Sequence, residues 1–403
     1  MNQCCLSSVE VVSYCDDLVT EILLRLPLDS VFKFKCVSKT WNRLMSDPIF
    51  RAKYISRAKN SLLPLLGFFR VTVDQQDRTT PKLSFLPNCK ERKFTNLDCI
   101  ENYGLTQGSP QGLMLCWSQQ KRSRIYNDYV WEPVRNQWFP IPEEPKKGND
   151  FEDWHFSDGL YCEECSKDGV VHFKVIRAML HRASHHILTI KSFSSRTGNW
   201  TQSFLTSPSE FSLGHQRYKG RSVGGIFYWK VCGHFAAYHP ENENRMWLIK
   251  LPHRSEREGY MDFILGQSPD GCLRFALNEK HQFRMWDLKK RLSSYSLFES
   301  VASSEWKLKE VVSFKKFRLI NYKATGHDPY TVRLNKYPTL MAFHPANSKL
   351  VYLRLGGRVF CYDFDTRILE PIQYPGIVLI YDGLIPYFQP PWLPSLPSRS
   401  VSI

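Results

Sequence analysis

Cysteines, histidines and paired carboxylates are the side chains that most often hold metals or move protons, and this chain carries several at suggestive spacing. Cys162-Glu163-Glu164-Cys165 is its one C-x-x-C. A structural zinc site needs a second pair of ligands, and His155 and His172, though nearby, fall at no regular interval. His185 and His186 are adjacent in a stretch with strand alternation, which sends the two rings to opposite faces. Glu143-Glu144, Glu163-Glu164 and Asp16-Asp17 read as turn or helix-start residues. The runs G-x-x-x-x-G-K-[ST], G-x-G-x-x-G and H-E-x-x-H are absent, so the local geometries that serve phosphate binding, dinucleotide binding and zinc proteolysis have no counterpart. Catalytic, cofactor-binding and metal-ligating residues are therefore all read as none, and an enzyme is not expected.

The net charge of +15 raises nucleic acid as a partner. Yet Lys and Arg are scattered, with Lys289-Lys290-Arg291 and Lys315-Lys316 as the longest runs, which reads as a solvated surface. Met1–Tyr14 has neither a basic start nor a continuous apolar run, so export is not expected. The twelve cysteines are then read as small buried hydrophobes in a reducing compartment, nucleus or cytoplasm. No stretch approaches the ~18 apolar residues of a membrane helix.

The elements that would position partners are written first at the N-terminus. Leu18, Ile22 and Leu26 recur at helical spacing beside Val19 and Leu23, with Asp16 and Asp17 at the N-cap. Pro27 closes that helix. Asp29 or Ser30 can cap a very short second helix carrying Val31, Phe32 and Phe34, and Ser38 a third carrying Trp41, Leu44 and Met45. A fourth start is written at Asp47-Pro48, with Phe50 and Tyr54 one turn apart. Some 45 residues with so many large apolar groups cannot bury them all alone. A partner surface is expected.

The run LVTEILLRLP, then S-V, F-K-C-V-S-K-T-W and D-P-x-F, resembles the F-box of plant F-box proteins. The resemblance covers residues 14–58 and implies a small all-α, three-helix module that docks on the Skp-type adaptor of a cullin-RING ubiquitin ligase. Leu18, Ile22, Leu23, Leu26, Pro27, Val37 and Trp41 are the matching adaptor-binding positions. Tyr14-Cys15 stands where the family usually has Leu-Pro. For several of these positions, Trp41 above all, the alternative role is to hold the helices together.

After a short linker at 59–62 the pattern changes. Short alternating runs separated by Gly, Pro, Asn and Asp clusters predict an all-β domain over 63–392. A unit recurs: a glycine-led strand, a middle strand, a polar turn and a closing strand that usually begins with Trp. It is written at Gly112–Trp138, Gly159–Trp200, Gly224–Trp247, Asp270–Trp306 and again from Leu340 to Asp363. That period is near the ~40 to 50 residues of a four-stranded blade, so a β-propeller of six or seven blades is expected, with a β-sandwich pair as the competing architecture. Lys82–Asn102 and Leu384–Phe388 are the candidates for a shared ring-closing blade. Arg196–Trp200, Gly224–Trp229, Ser268–Phe275, Met285–Leu288 and Ala342–Pro345 resemble the F-box-associated, kelch-like domain of many plant proteins. Residues 1–13 are read as a tail, and Pro390-Pro391-Trp392 with the Ser/Pro-rich stretch 393–403 as an unstructured end.

Together the resemblances imply the substrate-recognition subunit of a Skp-cullin-F-box ubiquitin ligase, with cullin and RING subunits as indirect partners and an unidentified target protein. Target contact is expected from the loops at 146–153, 208–220 and 254–259. A nucleic-acid-binding or carbohydrate-binding propeller adaptor is the alternative.

Overall fold

A strand buried on both faces must present apolar side chains at odd and even positions alike. Ile226–Val231 does so: Phe227 and Trp229 pack to one side with Tyr161, Ile190 and Tyr238, while Tyr228 packs to the other with Phe275, Trp247 and Trp306. A sheet of this kind needs a neighbour on each face, and the chain provides one by repetition. The computed structural model describes residues 16–59 and 64–402 except 74–80, 89–99, 102, 110, 120–125, 145–153, 164–168, 181–183, 185, 207–219, 232, 242–245, 253–262, 280, 296–299, 316–337, 356–357, 373–382 and 399–400.

Among the described residues the strands form six sheets, the blades of a six-bladed β-propeller. Blade 1 contains Leu65–Val73, Pro81–Pro87 and Ile100–Glu101; blade 2 runs from Tyr103–Gly108 to Gln137–Pro140; blade 3 from Trp154–Cys162 to Asn199–Thr206. Blade 4 runs from Arg221–Val223 to Met246–Lys250, blade 5 from Phe263–Gln267 to Trp306–Ser313, and blade 6 from Thr339–Phe343 to Leu369–Pro371. The innermost strand of blade 1 is Gly383–Phe388, antiparallel to Leu65–Val73. The shared ring-closing blade expected from the sequence is thus present, and the blade number is six.

Blade-to-blade packing explains the glycines and tryptophans. A Cβ on Gly159, in the inner strand of blade 3, would lie 1.5 Å from Cζ of Phe227 in blade 4; only glycine lets these strands approach. Gly224-Gly225 turns the blade 4 hairpin at φ +58° and +80°, a left-handed region that glycine enters at little cost. The closing-strand Trp200 donates its indole N–H to Pro142 O at 2.9 Å, and Trp306 donates to Lys250 O at 2.8 Å. Lys250 ends the strand Met246–Lys250 of blade 4, and Pro142 lies two residues beyond the strand Gln137–Pro140 of blade 2. At the seam between blades 6 and 1 there is a groove of about 530 Å³ lined by Leu65, Asn88, His344, Tyr352, Cys361 and Glu370.

The N-terminal region has four helical segments: α1 (Asp16–Leu23), α2 (Leu28–Phe34), α3 (Lys39–Ser46) and α4 (Pro48–Lys59). The fourth is the one written at Asp47-Pro48, where Asp47 Oδ1 accepts the Ile49 N–H at 2.7 Å. Ser38 caps α3 through Trp41 N at 3.1 Å, as expected. The α2 cap differs from expectation: Pro27 holds that position, so the helix begins before Asp29 and Ser30. Proline's fixed φ, here −57°, suits the turn between α1 and α2.

The expectation of an unstructured end from residue 390 is corrected. Leu396 is buried between blades 2 and 3, and Val401–Ser402 pairs antiparallel with Trp138 and Gln137 as a fifth strand on blade 2. An outer blade edge offers unpaired backbone donors and acceptors, and a tail that satisfies them gains order.

Candidate adaptor-docking surface

Helix α1 sorts its apolar side chains by turn. Val19 and Leu23 point inward, joined by Leu24, Leu28, Val31, Met45, Phe50 and Tyr54 in one core. Leu18 and Ile22, one position earlier in each turn, stay 48% and 45% exposed. The Tyr54 hydroxyl donates to Leu26 O at 2.8 Å, which fixes the chain where α1 ends. Phe34 meets Trp41 edge to face at 5.7 Å, locking α2 on α3. Arg43 reaches back to Asp16 at 2.6 Å; both are exposed, so the pair orients the helices more than it stabilises them.

Of the seven positions matched to the adaptor, Leu18, Ile22, Pro27 and Val37 are exposed on this unit, Val37 at 60%. Leu26 and Trp41 are half-buried against its core. Leu23 is 0% exposed. Its assignment as a contact residue is corrected: in this fold it belongs to the core, because the helix turns it to the same side as Val19. Ile49, 65% exposed in the first turn of α4, was not singled out by the sequence reading. The signal was present, since Phe50 and Tyr54 face inward and Ile49 must then face out.

Among the described residues, three polar networks tie strands and blades of the propeller together. Arg177 Nη1 and Nη2 are bonded to Glu144 and Asp128, with Asp158 at 3.4 Å from Nε, and Lys191 reaches Glu144 at 2.8 Å. Burial favours the neutral form of Glu144, but the hydrogen bonds from Lys191 and Arg177 prevail and hold its carboxyl below the usual range. Arg274 grips Asp287 with Nε at 2.7 Å and bonds Ser348 O, joining blade 5 to blade 6. Asp287 belongs to the lone Trp-Asp dipeptide of the sequence. Glu132, fully buried, accepts the N–H groups of Val134 and Arg135 and closes the blade 2 turn.

Burial pushes the Cys162 thiol up to about 12, so it is inert as a ligand or nucleophile at neutral pH. Cys165 and His185 lie outside the described residues, as do nearly all of the three target-contact loops. Among the described residues no group of three His, Cys, Asp or Glu could hold a metal. No helix among them is long and apolar enough to cross a membrane.

The F-box domain model matches residues 15–53, covering the first three of these helices and the first half of α4. The model of the F-box protein At3g26010-like β-propeller matches residues 83–357, more than half of the chain. This chain belongs to the plant F-box proteins with an At3g26010-like β-propeller. Among curated proteins it is 28% identical to F-box protein At5g03970 of Arabidopsis thaliana over 409 residues, covering 96% of this chain and 90% of that one. It is 25% identical to F-box protein At3g26010 of the same plant over 349 residues, covering 84% and 73% of the two chains. It is 24% identical to the putative F-box/kelch-repeat protein At1g15680, covering 84% and 78%. F-box proteins generally act in Skp-cullin-F-box ligases and bind a Skp-type adaptor, and the F-box plus propeller family is typically a non-catalytic adaptor.

Proposed function

We propose that this F-box protein is the substrate-recognition subunit of a Skp-cullin-F-box ubiquitin ligase in the nucleus or cytoplasm. The helices dock on the Skp-type adaptor, and the propeller recruits a protein target for ubiquitination. The observation that carries this reading is the exposure of Leu18, Ile22 and Val37 on a unit whose inward face is filled by its own apolar side chains together with Trp392. Leaving large apolar side chains in water is unfavourable, and clusters of them mark interaction sites. The protein performs no bond chemistry itself; holding a target beside a catalyst carried by other subunits raises its effective concentration there.

Co-purification tests the reading. Tagged full-length protein retains the Skp-type adaptor and cullin, and loses both when Leu18 and Ile22 are replaced by Asp. Retention of the adaptor by that folded double variant would refute the assigned surface.

A further inference from the structure

The core of the F-box is completed from the far end of the chain. Trp392, 6% exposed, lies among the F-box side chains, with its ring 5.2 Å from Phe32, 5.5 Å from Tyr54 and 6.4 Å from Phe50. The Arg51 guanidinium sits 5.8 Å from the same ring. Trp392 leaves from the propeller and its segment returns to it. Upstream, Gln389 N donates to Pro64 O at 2.9 Å, at the entrance to blade 1. Downstream, Ser395 N donates to Gly169 O at 3.1 Å and Val171 N to Ser395 O at 3.0 Å, a short parallel bridge onto blade 3. Arg135, in the blade 2 turn, donates to Pro394 O at 2.7 Å and Ser395 Oγ at 3.1 Å. Leu396 then enters the seam between blades 2 and 3, and Val401–Ser402 joins the edge of blade 2.

We infer that residues 390–398, with Val401–Ser402, are a strap that holds the F-box at one angle on blades 2 and 3, with Trp392 as the residue that positions it. A module of about 45 residues buries too little surface to be firmly stable by itself, and a tryptophan is the largest single apolar contribution available to it. Because both ends of the strap are tied to the propeller, filling the F-box core also fixes its orientation. A close approach and a charge effect mark the same seam. A Cβ on Gly169 would stand 2.9 Å from Arg51 of α4, and Lys35 at the end of α2 has its pKa lowered by burial and by the nearby charges of Arg51 and Arg135. Given the proposed ligase role, the strap sets where a target on the propeller stands relative to the adaptor. It also makes adaptor docking dependent on an intact C-terminus.

Limited trypsin digestion of the full-length protein tests this without any partner, by following cleavage at Arg57 and Lys59 beside hydrogen exchange in α2 and α4. Trp392→Ala is expected to lower protection in both helices by at least about a hundredfold, the low end for emptying a tryptophan site, and to speed cleavage at least tenfold. Trp392→Phe restores most of both. Arg135→Ala, which cuts the strap from blade 2 without entering the F-box core, speeds cleavage at least threefold. If Trp392→Ala yields no soluble protein, Arg135→Ala decides alone on that threshold. Protection and cleavage within twofold of wild type in the variants would overturn the strap. Calorimetry with the Skp-type adaptor separates the two proposals: wild-type protein that fails to bind refutes the ligase role and leaves the strap result standing.

Discussion

Leu23 and Leu18 sit on one short helix and are chemically identical, yet the structure assigns them opposite duties. Leu23 is 0% exposed and packs with Val19, Met45 and Phe50. Truncation to Ala removes its buried methyl groups and leaves a cavity, costing about 2–5 kcal/mol. Leu18 is 48% exposed, and its truncation should change stability by no more than about 0.5 kcal/mol. Binding reverses the order. Covering a whole Leu or Ile side chain is worth about 1.5–3 kcal/mol, so covering the exposed half of Leu18 contributes about 1 kcal/mol, or roughly fivefold in affinity. Ile22 is exposed to the same degree, and the Leu18→Ala/Ile22→Ala pair should weaken the adaptor complex on the order of thirtyfold at unchanged fold. The assay pairs hydrogen exchange in α1, which reads local stability, with calorimetric titration of the adaptor. A Leu18/Ile22 variant that binds like wild type, or a Leu23→Ala variant with undiminished exchange protection, refutes the division.

Three further outcomes follow from the propeller. Gly159→Ala forces a Cβ into the Phe227 ring and should destabilise the domain by about 1–3 kcal/mol; pairing it with Phe227→Leu should recover part of that loss in urea unfolding. Glu144, whose carboxyl is held below its usual pKa by Lys191 and Arg177 against the opposing effect of burial, contributes stability above the unfolded carboxylate value of about 4.3 and loses it as pH falls through the lower folded value. Glu144→Gln should therefore be about 1–3 kcal/mol less stable than wild type at pH 7, with the gap closing in unfolding curves taken at progressively lower pH. Trp306→Phe keeps most of the ring but removes the N–H that meets Lys250 O, an expected loss of about 1–2 kcal/mol in the melting of the blade 4–5 seam.

Local order was legible because its causes are local. Alternating side chains, the Trp at the head of closing strands, the turn at Arg135-Asn136 and the glycines of blades 3 and 4 each obey rules that act within a few residues. The F-box helices were legible for the same reason, down to the Ser38 cap and the Asp47-Pro48 start. Yet one helical period cannot tell a side chain that fills a core from one beside it that waits for a partner. That is why Leu23 stood with Leu18 until the packing separated them.

What tertiary structure alone decided are the contacts whose partners lie hundreds of residues apart. Leu65–Val73, apolar through most of its length, reads as a strand wherever it pairs, and only closure of the ring assigns Gly383–Phe388 as its neighbour. A proline-rich end with one tryptophan reads as loose chain, since nothing in its own sequence stabilises it. It becomes ordered because the F-box core lacks one large side chain and the edge of blade 2 lacks one strand, and the last residues of the chain supply both. The amino-acid sequence by itself determined which segments are helix and strand and which family they form. The path of the final residues was settled by vacancies that exist only once the rest of the molecule has folded.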